Sequence, residues 1–291
     1  MAMTFMRSTL LALAAASTLG LASARAEGTQ PLDTSRLVSI GGAVTEIVYA
    51  LGKGDTLAAR DSTSTFPPAA LKLPDVGYMR ALSPEGVLSV NPSAILMIDG
   101  SGPKEAVEVL SKASVQIVRI PEGYDRAGIL AKIEAVGKAL GAEAEAEALA
   151  AKVGADVDAA SAAVANIPEN QRKRVLFVLT LQNGKIMAAG QHTAADGILK
   201  LAGAVNATGD FHGYKPLNDE AIIAARPDVI LMMRDGGPGA SDAEVLANPA
   251  IALTPAGQNK ALIRQGGMTM LGFGPRTAEA IRDLSKALYG G

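Results

Sequence analysis

Residues 82–98 read LSPEGVLSVNPSAILMI, and residues 217–233, which begin 135 positions later, read LNDEAIIAARPDVILMM. Each copy predicts the same local structure: a short helix with Glu in its first turn, a Pro that ends the helix, and an entirely apolar strand. Two copies at this spacing are too few and too long for a solenoid. They indicate two similar lobes that face each other, a geometry that creates a cleft.

The repeat extends beyond these two segments. A Gly-Tyr pair precedes each copy, with a shift of one residue: Gly77-Tyr78 in the first and Gly213-Tyr214 in the second. Residues 42–52 are a weaker match to residues 192–203. These additional matches also place one copy in each predicted lobe.

The first 26 residues have the pattern of a signal peptide. Arg7 supplies a positive charge, residues 8–22 are uncharged and rich in Leu and Ala, and residues 24–26 form an Ala-x-Ala cleavage site before Glu27. A membrane anchor is the alternative, but it needs about 20 apolar residues. No later stretch is long and apolar enough to span a bilayer. We therefore expect an exported, soluble mature chain.

Composition argues against several classes of function. Without Arg7 and Arg25 the mature chain has 25 basic and 29 acidic residues, a net charge of −4, which argues against a nucleic-acid partner. The absence of Cys excludes thiol nucleophiles, disulfides and Cys-based zinc sites. Two His residues, His192 and His212, give little support for a high-affinity zinc or manganese site.

Short β-rich runs alternate with helical patterns along the mature chain. In the first half we predict strands at 37–40, 94–98 and 115–120, and helices that begin near Val44, Lys104 and Arg126. In the second half we predict strands at 175–179 and 228–233, and helices at 194–201, 219–225 and 275–288. The alternation predicts an α/β fold with two similar Rossmann-like lobes, mainly parallel sheets and a ligand cleft between the lobes.

A single long helix is predicted to join the lobes. Residues 142–165 are rich in Ala with interspersed Glu, Lys and Asp, contain no Pro, and have Gly154 as their only Gly. We expect this helix to end before Pro168 and, as a rigid connector, to allow only modest hinge opening. The predicted domains are a signal peptide at 1–26, an N-terminal lobe at 27–125, a helical connector at 126–171 and a C-terminal lobe at 172–291.

These features resemble the cobalamin, ferric-siderophore and heme class of periplasmic binding proteins, which deliver ligands to ABC importers. Residues 76–86, VGYMRALSPEG, are similar to the segment that carries the heme-ligating Tyr of bacterial hemin-binding proteins. Residues 188–196 and 213–217 are also similar to that subfamily. The resemblance implies a monomeric, non-enzymatic periplasmic protein that carries ferric heme to an inner-membrane ABC permease with its ATPase.

Two other functions stay open at this stage. One is binding of a ferric siderophore or another large iron or corrinoid chelate, with Tyr78 off the metal. The other, more distant, is an exported hydrolase. No Gly-x-Ser-x-Gly elbow, Walker loop or zincin motif occurs, and a Ser–His–Asp site that uses His192 or His212 has no support from spacing.

Tyr78 is the candidate iron ligand. A phenolate oxygen is a hard anionic donor that suits Fe(III), and Tyr is a known axial ligand of heme. A free Tyr has a pKa of about 10, so iron and a nearby cation must favour its charged form. Arg80 would lie on the same side as Tyr78 in an extended loop; it could also pair with a heme propionate. The alternative for Tyr78 is a half-buried loop residue with a hydrogen-bonded hydroxyl.

Three further residues are candidate heme contacts. Tyr214 is the repeat equivalent of Tyr78. It could pack against other residues, contact a heme propionate or bind the iron. Arg234 follows the second repeated strand, where side chains enter a cleft, and the resemblance suggests a propionate partner there; a solvated loop Arg is the alternative. His192 precedes the helix near 194–201, and a neutral imidazole can bind iron. A surface or capping role is the alternative for His192, as it is for His212.

Glu85 and Glu220 occupy equivalent positions of the two repeats. A carboxylate in the first turn of a helix is stabilised by the helix dipole, which alone could explain both residues. Their duplication on two lobes suggests a second role. The resemblance implies that they dock the protein onto a two-fold symmetric permease with basic pockets, one Glu per lobe.

Overall fold

The computed structural model describes residues 32–234 and 240–290. The predicted signal peptide at 1–26 lies outside these residues. Within the two described ranges, no helix combines the length and the apolar character needed to cross a bilayer.

The first half of the described chain contains a four-stranded parallel sheet, sheet A. Its strands are β1 (Leu37–Ile40), β2 (Leu57–Arg60), β3 (Ala94–Ile98) and β4 (Gln116–Ile120), in the spatial order β2-β1-β3-β4. Its helices are α1 (Gly42–Ala50), α2 (Pro84–Leu88), α3 (Lys104–Lys112) and α4 (Arg126–Leu140). The parallel arrangement follows from the helical crossovers, since parallel neighbours need long connections.

A helix of 23 residues, α5 (Glu143–Ala165), joins the halves. At about 1.5 Å per residue it is about 35 Å long. Its buried residues recur at helical spacing, which gives it one apolar face against the rest of the protein: Ala146, Ala150, Val153, Val157, Ala160 and Val164. Gly137 of α4 allows a close approach to α5, because a Cβ at that position would collide with the Ala146 side chain. The domain boundaries at 126 and 171 stay predictions.

The second half contains a separate sheet, sheet B. Its strands are β5 (Arg174–Gln182), β6 (Lys185–Ala189), β7 (Val205–Asn206), β8 (Tyr214–Leu217), β9 (Val229–Met233) and β10 (Leu262–Gln265). Their order is β10-β9-β5-β6-β8, and β7 also pairs with β5. Its helices are α6 (Ala194–Leu201), α7 (Asp219–Ala225), α8 (Asp242–Leu246), α9 (Pro249–Ala252), α10 (Pro255–Gln258), α11 (Gly267–Leu271) and α12 (Thr277–Tyr289). Two separate sheets and one long helix between them confirm the two-lobed α/β prediction.

Sheet B is mixed, whereas we expected mainly parallel sheets. Strands β7, β9 and β10 are parallel to their neighbours, but β6 runs antiparallel to both β5 and β8. The cause is a two-residue hairpin turn at Asn183 and Gly184, where φ is +52° and +76°. Asn and Gly adopt positive φ more readily than other residues, and Asn-Gly is a strong hairpin signal.

The repeated segment has the predicted structure in both lobes. Helix α2 precedes β3 in the first copy, and α7 precedes β9 in the second. A side-chain oxygen caps each helix: Ser83 Oγ accepts from Gly86 N at 3.2 Å, and Asn218 Oδ1 accepts from Ala221 N at 2.9 Å. Both helices end before the Pro that we expected to end them. Helix α7 ends two residues before Pro227, which disfavours helical geometry in Arg226, and α2 ends four residues before Pro92.

The two sheets share one apolar core. Strands of both sheets contribute one face to a buried cluster that also includes α1, α4, α5, α6 and α12; among its strand residues are Leu37, Leu96 and Ile98 of sheet A and Val175, Phe177 and Leu231 of sheet B. The outer faces form two separate clusters, around Val38 and Ile95 in sheet A and around Leu176 and Ile230 in sheet B. Because the inner core is continuous, wide separation of the lobes would expose it to water.

The central core gives a stability prediction. Phe177 has no exposed surface, so Phe177→Ala removes buried area and leaves a cavity, and we expect the free energy of unfolding to fall by about 3–5 kcal/mol. Urea unfolding followed by circular dichroism measures the change. Leu253→Ala is the control, because Leu253 is 64% exposed. Equal effects of the two substitutions would contradict the assignment of Phe177 to the common core.

Candidate functional site

A cavity of about 370 Å³ lies between the two lobes, and we call it the cleft. Residues that end or follow the parallel strands line it: Gly41, Thr63, Ile98 and Tyr124 from the first lobe, and Met233 and Gly267 from the second. In α/β folds, ligands bind at the carboxyl ends of the strands. The volume lies within the range of about 300–1,000 Å³ that small-molecule sites have. Of the residues predicted from sequence, the cleft brings together Tyr78, Arg80 and Tyr214.

A turn places Tyr78 and Arg80 on the cleft wall. The backbone N–H of Ala81 donates to the Tyr78 carbonyl at 2.8 Å, so the loop is a turn and not the extended segment that we considered. The two side chains nevertheless both line the cleft. Alternation along a strand therefore does not explain their proximity.

The backbone around the turn is held from both sides. Ser62 N donates to Gly77 O at 2.9 Å, and Gly102 N donates to Met79 O at 2.9 Å. Gly77 has φ of +102°, a conformation that side chains disfavour, and its N–H donates to Asp75 Oδ1 at 2.8 Å. These hydrogen bonds fix the backbone conformation on both sides of Tyr78.

The Tyr78 phenol and the Arg80 guanidinium are both available to a ligand. Tyr78 is 45% exposed. Within residues 32–234 and 240–290, neither side chain has a hydrogen bond or an ion pair. An unpaired guanidinium next to an exposed phenol suits an anionic ligand that also offers a metal ion to the phenol oxygen.

Two further tyrosines face Arg80 in the cleft, Tyr214 from β8 and Tyr124 from the segment after β4. Burial raises the pKa of the Tyr214 phenol, and the charge of Arg80 lowers it in part. Burial also raises the pKa of the Tyr124 phenol; the Glu122 carboxylate adds to this rise and Arg80 opposes it. Both groups are therefore neutral phenols at neutral pH.

Sequence reasoning missed Tyr124 and Glu122, which both line the cleft. The Tyr124 ring packs edge-on against the buried Phe273 ring, with centroids 5.4 Å apart. A signal for both residues was present, because they directly follow the predicted strand at 115–120. The argument that placed Arg234 after a strand end would also have placed these two residues in the cleft.

Hydrogen bonds from Lys132 and an ion pair of Arg276 hold the second-lobe wall of the cleft against the first lobe. Lys132 of α4, which has no exposed surface, donates from Nζ to the carbonyl oxygens of Gly272 at 3.3 Å and Phe273 at 3.1 Å, and to Glu122 Oε1 at 2.6 Å. Arg276 forms a two-point pair with Glu46 of α1, with distances of 2.5 and 3.0 Å. The segment between α11 and α12 is thus bound to two helices of the other lobe.

Arg234 lies outside the set of residues that line the cleft. It lines a neighbouring pocket with Thr269, Glu279 and Lys286, and its Nη2 donates to Arg264 O at 3.2 Å. Helix α11 lies between the two cavities, because its Met268 lines the cleft and its Thr269 lines the neighbouring pocket. The strand end was identified correctly, but a helix stands between Arg234 and the cleft.

His192 and His212 form a pair with each other. Their rings are stacked with centroids 4.6 Å apart, and their Nδ1 atoms lie 2.7 Å apart. Both residues are exposed, and neither is among the residues that line the cleft. The adjacent residue Thr193 caps α6 through a bond from Asp196 N at 3.1 Å. Among the described residues, no group of three or more His, Cys, Asp or Glu is arranged to hold a metal ion.

Glu85 and Glu220 are both exposed, one on each lobe, and neither lines the cleft. Each lies in the first turn of its helix, α2 or α7. A hydrogen bond from the Ser83 hydroxyl at 2.8 Å lowers the pKa of the Glu85 carboxyl. Glu85 is therefore an anion at neutral pH.

This fold, with a cleft between two lobes, is shared with a known family. The sequence profile of a family described as periplasmic binding proteins matches residues 37–266. The chain belongs to this family of periplasmic binding proteins.

Several solved structures are similar to this chain over most of both chains. The periplasmic heme-binding protein BhuT, solved in complex with two hemes, is 38% identical, with a TM-score of 0.80 over 87% of this chain and 97% of BhuT. The periplasmic heme-binding protein RhuT from Roseiflexus sp. RS-1, in apo form, is 36% identical, with a TM-score of 0.82 over 88% of this chain and 98% of RhuT.

Curated relatives are more distant. The uncharacterized ABC transporter substrate-binding lipoprotein YvrC of Bacillus subtilis is 27% identical over 201 residues, which are 68% of this chain and 63% of YvrC. The chain thus spans less than two thirds of the length of that relative. Other curated relatives are named vitamin B12-binding proteins.

Proposed function

We propose that the chain captures ferric heme in its cleft through Tyr78 and delivers the heme to an ABC permease. The observation that carries the proposal is that an exposed phenol without a hydrogen bond and a guanidinium without an ion pair lie together on the wall of a cleft between two lobes. In this proposal residues 1–26 direct export to the periplasm, and the protein acts as a monomer by binding, without chemical turnover.

The proposed site divides its tasks among few residues. Tyr78 gives a phenolate oxygen to Fe(III), and the cationic Arg80 favours the charged form of the phenol and pairs with a propionate. Tyr214 and Tyr124 stay protonated because burial raises the pKa of both phenols. They contact the ligand as neutral aromatic rings. Apolar side chains complete a surface suited to a porphyrin: Ile98, Leu179, Met233, Met268 and Leu271.

Arg234 and His192 are not proposed as heme contacts, because neither is among the described residues that line the cleft. The alternative ligand is a ferric siderophore or a corrinoid, and the relatives named vitamin B12-binding proteins give the corrinoid specific support. Those relatives are matched over shorter segments or at lower identity than the heme-binding structures, whose names support heme.

Titration of the purified mature protein with separate ligands tests the proposal. We expect hemin to give a saturable spectrum of five-coordinate, high-spin ferric heme, because one Tyr ligand leaves the sixth position open. Cyanocobalamin and a ferric hydroxamate siderophore, added under the same conditions, are expected to cause no change in intrinsic tyrosine fluorescence or melting temperature. Saturable binding of cyanocobalamin or the siderophore without binding of hemin would overturn the heme assignment.

The proposed partner is an inner-membrane ABC permease with its ATPase. Glu85 and Glu220 present one exposed carboxylate on each lobe, which matches a two-fold symmetric partner with one basic pocket per subunit. Because neither Glu lines the cleft, docking and ligand capture use different surfaces of the protein.

A further inference from the structure

The pair of His192 and His212 has no part in the proposed heme site, since neither residue lines the cleft. Both are exposed. Their Nδ1 atoms lie 2.7 Å apart, whereas the ring centroids lie 4.6 Å apart and the ring planes differ by only 3°. In parallel rings, this difference means that the two Nδ1 atoms are turned toward each other. The pair therefore brings two imidazole nitrogens together at a surface that water reaches.

The backbone holds both histidines next to each other. His192 follows Gln191, whose N–H donates to the Phe211 carbonyl at 2.7 Å. His212 precedes Gly213, whose N–H donates to the Gln191 carbonyl at 3.0 Å. These hydrogen bonds join the segment after β6 to the segment before β8. A ligand that binds both rings therefore meets a site whose backbone is already ordered, which reduces the entropy cost of binding.

His192 has a strained backbone conformation. Its φ is +57°, in the left-handed region that residues with a side chain rarely occupy. Such strain persists only where the surrounding structure holds it, and it is concentrated at active sites and ligand clamps. Here the next residue, Thr193, is buried and caps α6 through Asp196 N, which fixes the chain directly after His192. A ligand bound by His192 and His212 together would give this strain a purpose.

We propose that His192 and His212 form a surface site for one divalent transition-metal ion, preferably Cu(II), which binds to both Nδ1 atoms. Imidazole is a ligand of copper, nickel and zinc, and Cu(II) is the strongest binder among these ions. With metal–nitrogen bonds of about 2.0 Å, two ligands at a right angle lie about 2.8 Å apart, and two at the tetrahedral angle about 3.3 Å apart. The observed 2.7 Å fits the right angle of tetragonal Cu(II).

A proton occupies the position of the metal ion when the ion is not bound. A hydrogen bond between two Nδ1 atoms needs one of them as the donor and the other as the acceptor. When Cu(II) binds, this proton leaves Nδ1 of the donor ring, and water returns a proton to Nε2 of the same ring. No described residue bonds to Nε2 of either ring. Both rings therefore stay neutral, as metal ligands must be.

The protein supplies two ligands to this site, and water supplies the others. Within residues 32–234 and 240–290, no group of three or more His, Cys, Asp or Glu can hold a metal ion, which argues against a closed structural zinc site. The alternative is that the pair is only a hydrogen bond. A hydrogen bond between exposed side chains competes with water and adds little net stability, so it gives no reason for the strain at His192.

Titration of the metal-free mature protein with Cu(II), followed by electron paramagnetic resonance, tests the proposal without hemin. We expect one Cu(II) per chain, an axial spectrum typical of tetragonal Cu(II), and electron spin-echo modulation from two imidazoles. In His192→Asn and in His212→Asn we expect modulation from one imidazole. The dissociation constant should rise more than about tenfold, because even groups that only support a metal ligand contribute about 10- to 100-fold. Asn is chosen because it tolerates the left-handed conformation at position 192.

Two further variants serve as controls. His192→Asn/His212→Asn measures Cu(II) bound elsewhere, including at the amino group of the mature chain. Lys260→Asn introduces the same residue at another exposed position with positive φ, +52°, and it should bind Cu(II) like wild type. Because hemin is absent from every sample, the result does not depend on the proposed heme function.

Three results would overturn the proposal. Equal Cu(II) affinity in wild type and the double His variant would show that the pair is only a hydrogen bond. One Cu(II) per two chains, with dimers in analytical ultracentrifugation, would show that the ion bridges two chains instead. Tighter binding of Zn(II) than of Cu(II) to wild type would contradict the tetragonal geometry.

Discussion

Hemin added to the Tyr78→Ala variant is expected to give the spectrum of free hemin at concentrations that saturate wild type. Among the described residues that line the cleft, Tyr78 has the one phenol that is both exposed and unbonded, and the variant lacks it. Even groups that only support a metal ligand contribute about 10- to 100-fold to metal affinity. We therefore expect the dissociation constant to rise by more than about 100-fold, measured by absorption titration.

Matched variants separate ligation from packing. Tyr78→Phe keeps the ring and removes only the hydroxyl, so it is expected to lose the high-spin spectrum like Tyr78→Ala. Tyr124→Phe and Tyr214→Phe keep the spectrum, because the pKa of each of these phenols is raised by burial and neither is proposed as a ligand. Equal hemin affinity in wild type and Tyr78→Phe would remove Tyr78 as the ligand. Loss of the high-spin spectrum in Tyr214→Phe would indicate that Tyr214 of the second lobe, and not Tyr78, binds the iron.

The sequence predicted the parts of the fold that depend on strong local patterns. The apolar runs at 94–98 and 229–233 became β3 and β9, and the Ala-rich segment became α5 within one residue of its predicted start. The strands that were missed have weak patterns. Strand β2 contains two Ala, a residue type depleted in strands, and β8 contains Pro216, which argues against a strand. Their positions depend on pairing with distant strands, which a local pattern does not specify.

The candidate site was predicted in part. Tyr78, Arg80 and Tyr214 line one cleft, and a family motif pointed to the first of them. Arg80 reached the cleft through a turn that sequence spacing did not reveal. Tyr124 and Glu122 were missed although they follow the predicted strand at 115–120, but the contact of Tyr124 with Phe273, which is 149 positions away in sequence, has no local signal. Contacts between lobes at such separations are set by tertiary packing.

The Glu85→Ala/Glu220→Ala variant is expected to bind hemin like wild type and to fail to stimulate the ATPase of the reconstituted importer. Both carboxylates are exposed and lie outside the cleft, so their removal leaves the ligand contacts intact. At an interface, one partner of a desolvated ion pair can contribute about 2–5 kcal/mol. Loss of two such contacts, one per lobe, is expected to prevent stable docking at micromolar protein.

Each single substitution is expected to weaken stimulation less than the double substitution, since the other lobe can still dock. The control variant Glu147→Ala/Asp283→Ala removes the same amount of charge from exposed positions on α5 and α12, and it should stimulate like wild type. This control separates specific docking from a general effect of net charge, which acts at long range and is screened by salt. Normal stimulation by Glu85→Ala/Glu220→Ala would show that the helix dipole alone explains the two residues. Weakened hemin affinity in that variant would instead connect them to the cleft.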